Sequence, residues 1–207
     1  SPIYSGEYHL VFIESGENLP PHQLIAMEQA ALFNPSAHIH LLTTKAAAQQ
    51  VPDVLKSAID VHSFQSIPMQ AEHKKLLKRE AASPLEKFFY LADLAAVYES
   101  TPIIYIASEM MLYKDLSEHL PLFKSLYSEI AATFDNDARC QAGLIYFKDH
   151  LALQSLTKFL AKEGVCRFPE QRALSNYQLV YGSAAIDHLP VITPEYIKDG
   201  HMISLSG

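Results

Sequence analysis

Glycine is scarce in this sequence, 7 of 207 residues, and none falls at a Gly-x-Gly-x-x-Gly or Gly-x-x-x-x-Gly-Lys spacing. Both motifs need clustered glycines to bring backbone N–H groups against phosphate, so the ordinary dinucleotide fingerprint and the P-loop are excluded. Any nucleotide must be held another way. Cysteine is nearly absent: Cys140 and Cys166 have no Cys-x-x-Cys spacing and could pair at most once. That excludes a disulfide framework and a cysteine-based structural zinc site, and it fits a reducing, cytoplasmic compartment. Cations are outnumbered, 16 Lys+Arg against 23 Asp+Glu for a net charge of −7, the reverse of what a protein neutralising many backbone phosphates requires. Nucleic acid is therefore not an expected partner. No apolar run reaches the roughly 20 residues of a spanning helix, and the first residues lack a charged region followed by an apolar stretch. Gly-x-Ser-x-Gly, His-Glu-x-x-His and kinase signatures are missing too, and Cys140 beside Arg139 is a lone thiol on the edge of an apolar strand.

What is present is apolar: 49% of residues are hydrophobic and 19% charged, enough for a substantial core but short for two independent domains. One domain over 1–207 is expected. The chain starts at Ser1 without Met and ends on Ser206-Gly207, which fits a segment of a longer protein. Tyr8 to Ile13 reads as a buried strand running into a loop at Glu14-Ser15-Gly16. Pro20 and Pro21 then open a helix that Asn34-Pro35 stops. Ala37 to Thr43 is a second strand, in which His38 and His40 share one face. A two-histidine metal pair is geometrically possible there, but with no third ligand nearby in sequence they read as packed or surface histidines.

Lys45 to Ile59 is helical around a break at Pro52, Val61 to Phe64 is a short strand, and Ala71 to Ala82 is a charged helix anchored by Leu76 and Leu77. Ser83-Pro84 supplies an N-cap and N1 for a long helix over Leu85 to Glu99. Ile103 to Ile106, too short for a helix and apolar throughout, is a central strand buried on both faces. The pattern then predicts helix from Lys114 to Ala132 interrupted at Pro121, a strand Gly143 to Phe147, a helix Leu151 to Lys162 closed by Gly164, and a helix from Pro169-Glu170-Gln171 to about Leu179. Strands alternating with helices predict an α/β fold, a three-layer α/β/α sandwich on a mostly parallel sheet. Ligands of such sheets sit beyond the carboxyl ends of the strands, where Glu14 and Glu109 fall.

At this point the motifs converge. Glu86-Lys87-Phe88-Phe89-Tyr90-Leu91, then Pro102-Ile103-Ile104-Tyr105-Ile106, then Ala107-Ser108-Glu109-Met110-Met111-Leu112-Tyr113 resembles the centre of a GT-A-fold, nucleotide-sugar-dependent glycosyltransferase. In that family an Arg-bearing helix precedes a strand ending in Asp-x-Asp. Gln141-Ala142-Gly143-Leu144-Ile145-Tyr146-Phe147 resembles the following Asn-Ala/Ser-Gly strand, Pro169-Glu170-Gln171-Arg172 the Asp-Gln helix start, and His188-Leu189-Pro190 the apolar-Leu-Pro. The opening strand and helix, with Asn34-Pro35 and His38-Ile39-His40-Leu41-Leu42, match as well, so the likeness covers most of the chain.

The departures fall on the ligands. The family's two aspartates hold a divalent cation, Mg²⁺ or Mn²⁺, that neutralises the donor diphosphate. Ala107 stands at the first of these positions and Glu109 at the second. A late His-x-Ser-Gly is replaced by Ser204-Leu205-Ser206-Gly207, leaving His201, three residues earlier, as the substitute. Lys87 replaces the arginine, keeping the charge but not the two-pronged fork. The literal Asp135-Asn136-Asp137 fits either a turn closed by Asp/Asn side chains or a source of the oxygen ligands lost at Ala107.

The resemblance implies transfer of a glycosyl group from a nucleotide sugar, a UDP-sugar, to a glycan, lipid or protein acceptor. It places Ile13, Glu14, Lys87, Ser108, Gln141, Gly143 and Gln171 around the donor and Glu109 and Glu170 in catalysis. It leaves Glu109, Asp135, Asp137 and His201 for a cation whose role is weakened or lost. A catalytically inactive relative, retained as a sugar-binding or protein-interaction module, is the alternative that Ala107 and Ser204 suggest.

Overall fold

Six-residue strand β1 (His9–Glu14) is the hub of the architecture in the computed structural model, which describes residues 8–79, 85–98, 101–108, 110–134, 140–163, 170–198 and 201–206. It pairs in parallel with β2 (His38–Thr43) on one side and β4 (Ile103–Ile106) on the other, and β2 pairs in parallel with β3 (Asp60–Ser63). Beyond β4 lie β6 (Cys140–Phe147), β5 (Ile130–Phe134) and β7 (Ile186–His188), giving a seven-stranded sheet of order β3-β2-β1-β4-β6-β5-β7. Only β6 runs against the others. A separate antiparallel hairpin, β8 (Pro190–Lys198) with β9 (His201–Ser206), follows.

The helices cover both faces. Helix α1 (Pro21–Phe33) starts on two prolines, whose fixed φ suits a first turn, and ends at Asn34. With the short α2 (Lys45–Ala48) and α3 (Asp53–Lys56) it packs on one face of the sheet, over Leu10, Phe12, Ile39, Leu41, Ile104 and Ile106. Helix α4 (Ala71–Arg79), α5 (Glu86–Ala95), α7 (His150–Glu163) and α8 (Glu170–Tyr181) follow the chain on the other face, where Phe88, Leu91, Leu153 and Leu174 meet Val11, Leu42, Tyr105 and Ile145. Alternating residues of each strand thus enter opposite cores, the period-2 rule of a sheet sandwiched between helices. Each fully buried leucine, isoleucine or phenylalanine contributes roughly 1.5–3 kcal/mol. All four residues of β4 are buried, as expected of a strand covered on both sides.

One predicted helix is wrong. The stretch expected to be helical from Lys114 to Ala132 holds a single 3-10 turn (Leu116–Glu118) and the short α6 (Leu120–Leu126), and Pro121 sits in the first turn of α6 rather than interrupting it. Ile130-Ala131-Ala132 is strand. Alanine favours helix locally, but Ala131 and Ala132 are fully buried opposite Tyr146 and Ile145, where small side chains let both helix layers close on the sheet. Tertiary pairing outweighs the propensity. Strand β6 begins three residues earlier than Gly143, and β7 to β9 carry no clear period in the sequence. The expected N-cap Ser83 and stop at Gly164 lie outside the described residues.

Candidate functional site

The parallel strands deliver their carboxyl ends to one edge, and the antiparallel β6 delivers its amino end there. Ile13 and Glu14 end β1, Thr43 ends β2, Ala107 and Ser108 follow β4, and Gly143 lies early in β6. The Ala107 N–H donates to the Gly143 carbonyl at 2.8 Å, joining the two central strand ends. A Cβ on Gly143 would stand 3.2 Å from the Met110 sulfur, so Met110 closes over this glycine.

Helices α5 and α8 bring the charges. α5 runs back antiparallel to β4, so its first turn, with Lys87, returns to the carboxyl edge, and α8 starts beside it with Glu170. Lys87 Nζ is 2.6 Å from Glu170 Oε1 and 3.2 Å from the Tyr105 hydroxyl, and it sits 5.0 Å from the centre of the Tyr105 ring. Both charged side chains are mostly buried, at 19% and 16% exposure, so the ion pair is far less screened than a surface pair. One turn on, the Tyr90 hydroxyl lies 3.1 Å from Glu86 Oε1, and the Tyr90 ring packs on Phe64, centroids 4.5 Å apart. Burial, then the Glu86 charge, push the Tyr90 phenol up to about 12.

Of the residues singled out by sequence, this edge gathers Ile13, Glu14, Lys87, Ser108, Gly143 and Glu170. Ile13 packs against the core below. The Glu14 carboxylate accepts the Gly16 N–H at 2.9 Å, and the Thr43 hydroxyl donates to the Glu14 carbonyl at 2.7 Å, so Glu14 shapes its own turn. Gln141 lies in β6 opposite Thr133, Gln171 is second in α8, and His201 starts β9 opposite Lys198; the side chains of these three lie outside the described residues. Glu109, Asp135 and Asp137 lie outside them altogether. For a hard divalent cation at this edge, the described side chains are the wrong set. Ala107 offers no ligand, Glu14 is turned into its turn and Glu170 is paired with Lys87, so no step below is routed through a metal.

A second cluster lies at the opposite, amino end of the same sheet. His9, His38 and His40 are buried, and with Asp60 and His62 they occupy one face of β1, β2 and β3. His9 Nδ1 is 2.9 Å from His40 Nε2, His40 Nδ1 is 3.0 Å from His62 Nε2, and His38 Nε2 contacts Asp60 Oδ2. Tyr98 roofs them, its ring 4.3 Å from that of His9. Burial, then the neighbouring His38, hold the His9 imidazole down at about 4, and burial lowers His40 and His62 as well. His38 and His40 are packed as expected, but their partners come from other strands. The missed signal is positional: four of the ten histidines fall within the first three strands.

No protein-family model matches this sequence, and no curated protein matches it. Solved structures do. The apo glycosyltransferase GlyE of Streptococcus pneumoniae TIGR4 is 16% identical with a TM-score of 0.53, covering 87% of this chain and 44% of its own. The apo WbbM bifunctional glycosyltransferase is 14% identical with a TM-score of 0.57, over 92% of this chain and 40% of its own. A cytidylyltransferase of Leptospira borgpetersenii serovar Hardjo-bovis is 14% identical with a TM-score of 0.53, over 86% and 73%. The fold is therefore the GT-A-type α/β fold common to glycosyltransferases and nucleotidyltransferases, and the chain spans less than half the length of the two glycosyltransferases.

Proposed function

We propose that this chain is a GT-A-like domain that binds a nucleotide sugar, a UDP-sugar, at the carboxyl edge of its sheet and transfers the glycosyl group to an acceptor hydroxyl. The observation that carries the reading is the Lys87–Glu170 pair, which joins a predicted donor-binding cation to a predicted catalytic carboxylate at 2.6 Å on that edge.

The chemistry asks for a cation where the leaving group gathers charge and a carboxylate near the incoming hydroxyl. In transfer, the bond from the sugar C1 to the diphosphate oxygen breaks and the acceptor oxygen bonds C1. The acceptor proton passes to Glu170, and the nucleoside diphosphate departs with its added charge facing Lys87. The Tyr105 hydroxyl and ring hold the ammonium in place before substrate arrives, so little reorganisation is needed at the transition state. The Gly143–Ala107 junction provides a floor with no side chain at Gly143, and Glu14, Ser108, Gln141 and Gln171 complete the donor lining in this reading.

Calorimetry with UDP and UDP-sugars, with and without Mn²⁺, tests it. Binding that weakens at least tenfold in Lys87→Met supports the reading; no binding of any nucleotide sugar under either condition overturns it.

Ala107 favours a second reading, a domain that binds donor without turning it over. This residue is buried, with its N–H committed to Gly143, at the position where the resemblance implies the first aspartate of Asp-x-Asp. Restoring Ala107→Asp with Ser204→His would then create metal-dependent donor hydrolysis. An unmodified chain that already transfers sugar removes this alternative.

A further inference from the structure

We propose that His9, His38 and His40 form a nitrogen-ligated binding site for a zinc-type divalent ion at the amino end of the sheet, with Asp60 and His62 holding two of the ligands from outside. This site is independent of the nucleotide-sugar reading. Five residue steps along β1 separate His9 from Glu14, about 16 Å at strand rise, so the two edges do not share a ligand.

The donor atoms converge. One candidate donor atom from each of His9, His38 and His40 lies within 4.8 Å of the other two, and the same holds for His40, Asp60 and His62. Three adjacent parallel strands in register produce this: His9 is opposite His38, and His40 opposite Asp60, so every ring emerges on the same face. Two imidazole nitrogens on one tetrahedral zinc stand about 3.3 Å apart. The 2.9 Å between His9 Nδ1 and His40 Nε2 thus has to open by only about 0.4 Å to admit the ion.

The outer contacts match what metal histidines use. His38 Nε2 contacts the Asp60 carboxylate, the kind of outer partner that orients a metal-bound imidazole. His62 Nε2 occupies the His40 Nδ1, leaving His40 Nε2 on the His9 side. A carboxylate or second ring on the far nitrogen fixes tautomer and ring orientation, and such partners are typically worth 10–100-fold in affinity. All three ligands are nitrogen, which suits zinc, nickel or cobalt and not magnesium or manganese. Asp60 is 40% exposed at its side chain, so solvent reaches the cluster from its side and can supply the fourth ligand. An ion here clamps the amino ends of β1 and β2, and its effect is on stability rather than on the carboxyl-edge chemistry.

The test uses the full chain carrying no histidine tag, stripped with chelator and titrated with Zn²⁺ and Co²⁺. The expected result is one ion per chain with submicromolar zinc affinity, an intense tetrahedral cobalt spectrum, a melting temperature raised by about 5 °C or more, and UDP binding unchanged. Asp60→Asn, at the exposed rim, is expected to weaken zinc about 10–100-fold, and His38→Gln to abolish the tetrahedral spectrum. Weak, pale octahedral cobalt in the unmodified chain, or zinc held equally by His38→Gln, overturns the site. The cobalt spectrum of the unmodified chain decides the matter even if a variant fails to fold.

Discussion

Lys87 Nζ lies 2.6 Å from Glu170 Oε1, although the two residues sit in different helices of different parts of the chain. Neither charge is well solvated, so removing one takes away the opposite charge that the other is buried against. Lys87→Met is expected to destabilise the chain by about 1–3 kcal/mol, with the double variant Lys87→Met, Glu170→Leu recovering part of that loss. Lys87→Arg is expected to fold normally. Urea denaturation checks the order, and a double variant less stable than either single one would contradict the coupling.

Asn34 does more than stop a helix. It is buried; its Oδ1 accepts from the Leu116 N–H at 2.8 Å and the Tyr8 hydroxyl at 2.9 Å, while its Nδ2 donates to the Lys114 carbonyl at 2.9 Å. The side chain pins the connection after β4 to the end of α1. Asn34→Ala leaves three polar groups without this partner and is expected to cost about 2–4 kcal/mol. Hydrogen exchange should quicken first at Leu116; protection there unchanged from the parent would refute the pin.

Gly143 separates packing from ligand contact. Its added Cβ would meet the flexible end of Met110 at 3.2 Å, so Gly143→Ala is expected to change stability by under about 1 kcal/mol. If donor sugar rests on this strand, UDP-sugar affinity falls much further than UDP affinity. Equal losses for both ligands would place Gly143 outside the sugar's footprint.

Alkali should loosen the fold in a defined window. Burial, first among the causes, raises the phenols of Tyr8, Tyr90, Tyr146 and Tyr177 to about 12, with Asp115, Glu86, Asp149 and Glu129 as neighbouring charges that add to it; Tyr181 contributes at Tyr177 and the Ser36 and Ser117 contacts oppose it at Tyr8. Unfolded tyrosine titrates near 10. Above that pH the unfolded chain releases protons that the folded chain keeps, so the stability these groups contribute is full below pH 10 and is lost as pH rises toward 12. Urea midpoints should hold to about pH 9.5 and then drop, together with the rise in phenolate absorbance; a flat profile through pH 11 would contradict the burial of these rings.

The strand and helix order through β4 was legible because its signals are local. Pro20-Pro21 starts a helix, Asn34-Pro35 ends it, and Ile103 to Ile106 is apolar without a helical period. The misread segment was Ile130 to Ala132, whose alanines carry a local preference opposite to their tertiary state. At the site, Lys87 and Glu170 could be named by motif, but their contact could not. Nor could the company of His38 and His40, since His9, Asp60 and His62 are remote in sequence and meet them only through strand register.

The sequence by itself determined the α/β class, the two apolar faces of the central strands and the lack of any glycine loop for phosphate, because residue periodicity and glycine spacing act over a few neighbouring positions. Only the tertiary structure decided that Lys87 is held by Glu170 and Tyr105, and that five metal-capable side chains share the amino end of the sheet. Those are contacts between elements, fixed by strand order and register, and no local pattern encodes either.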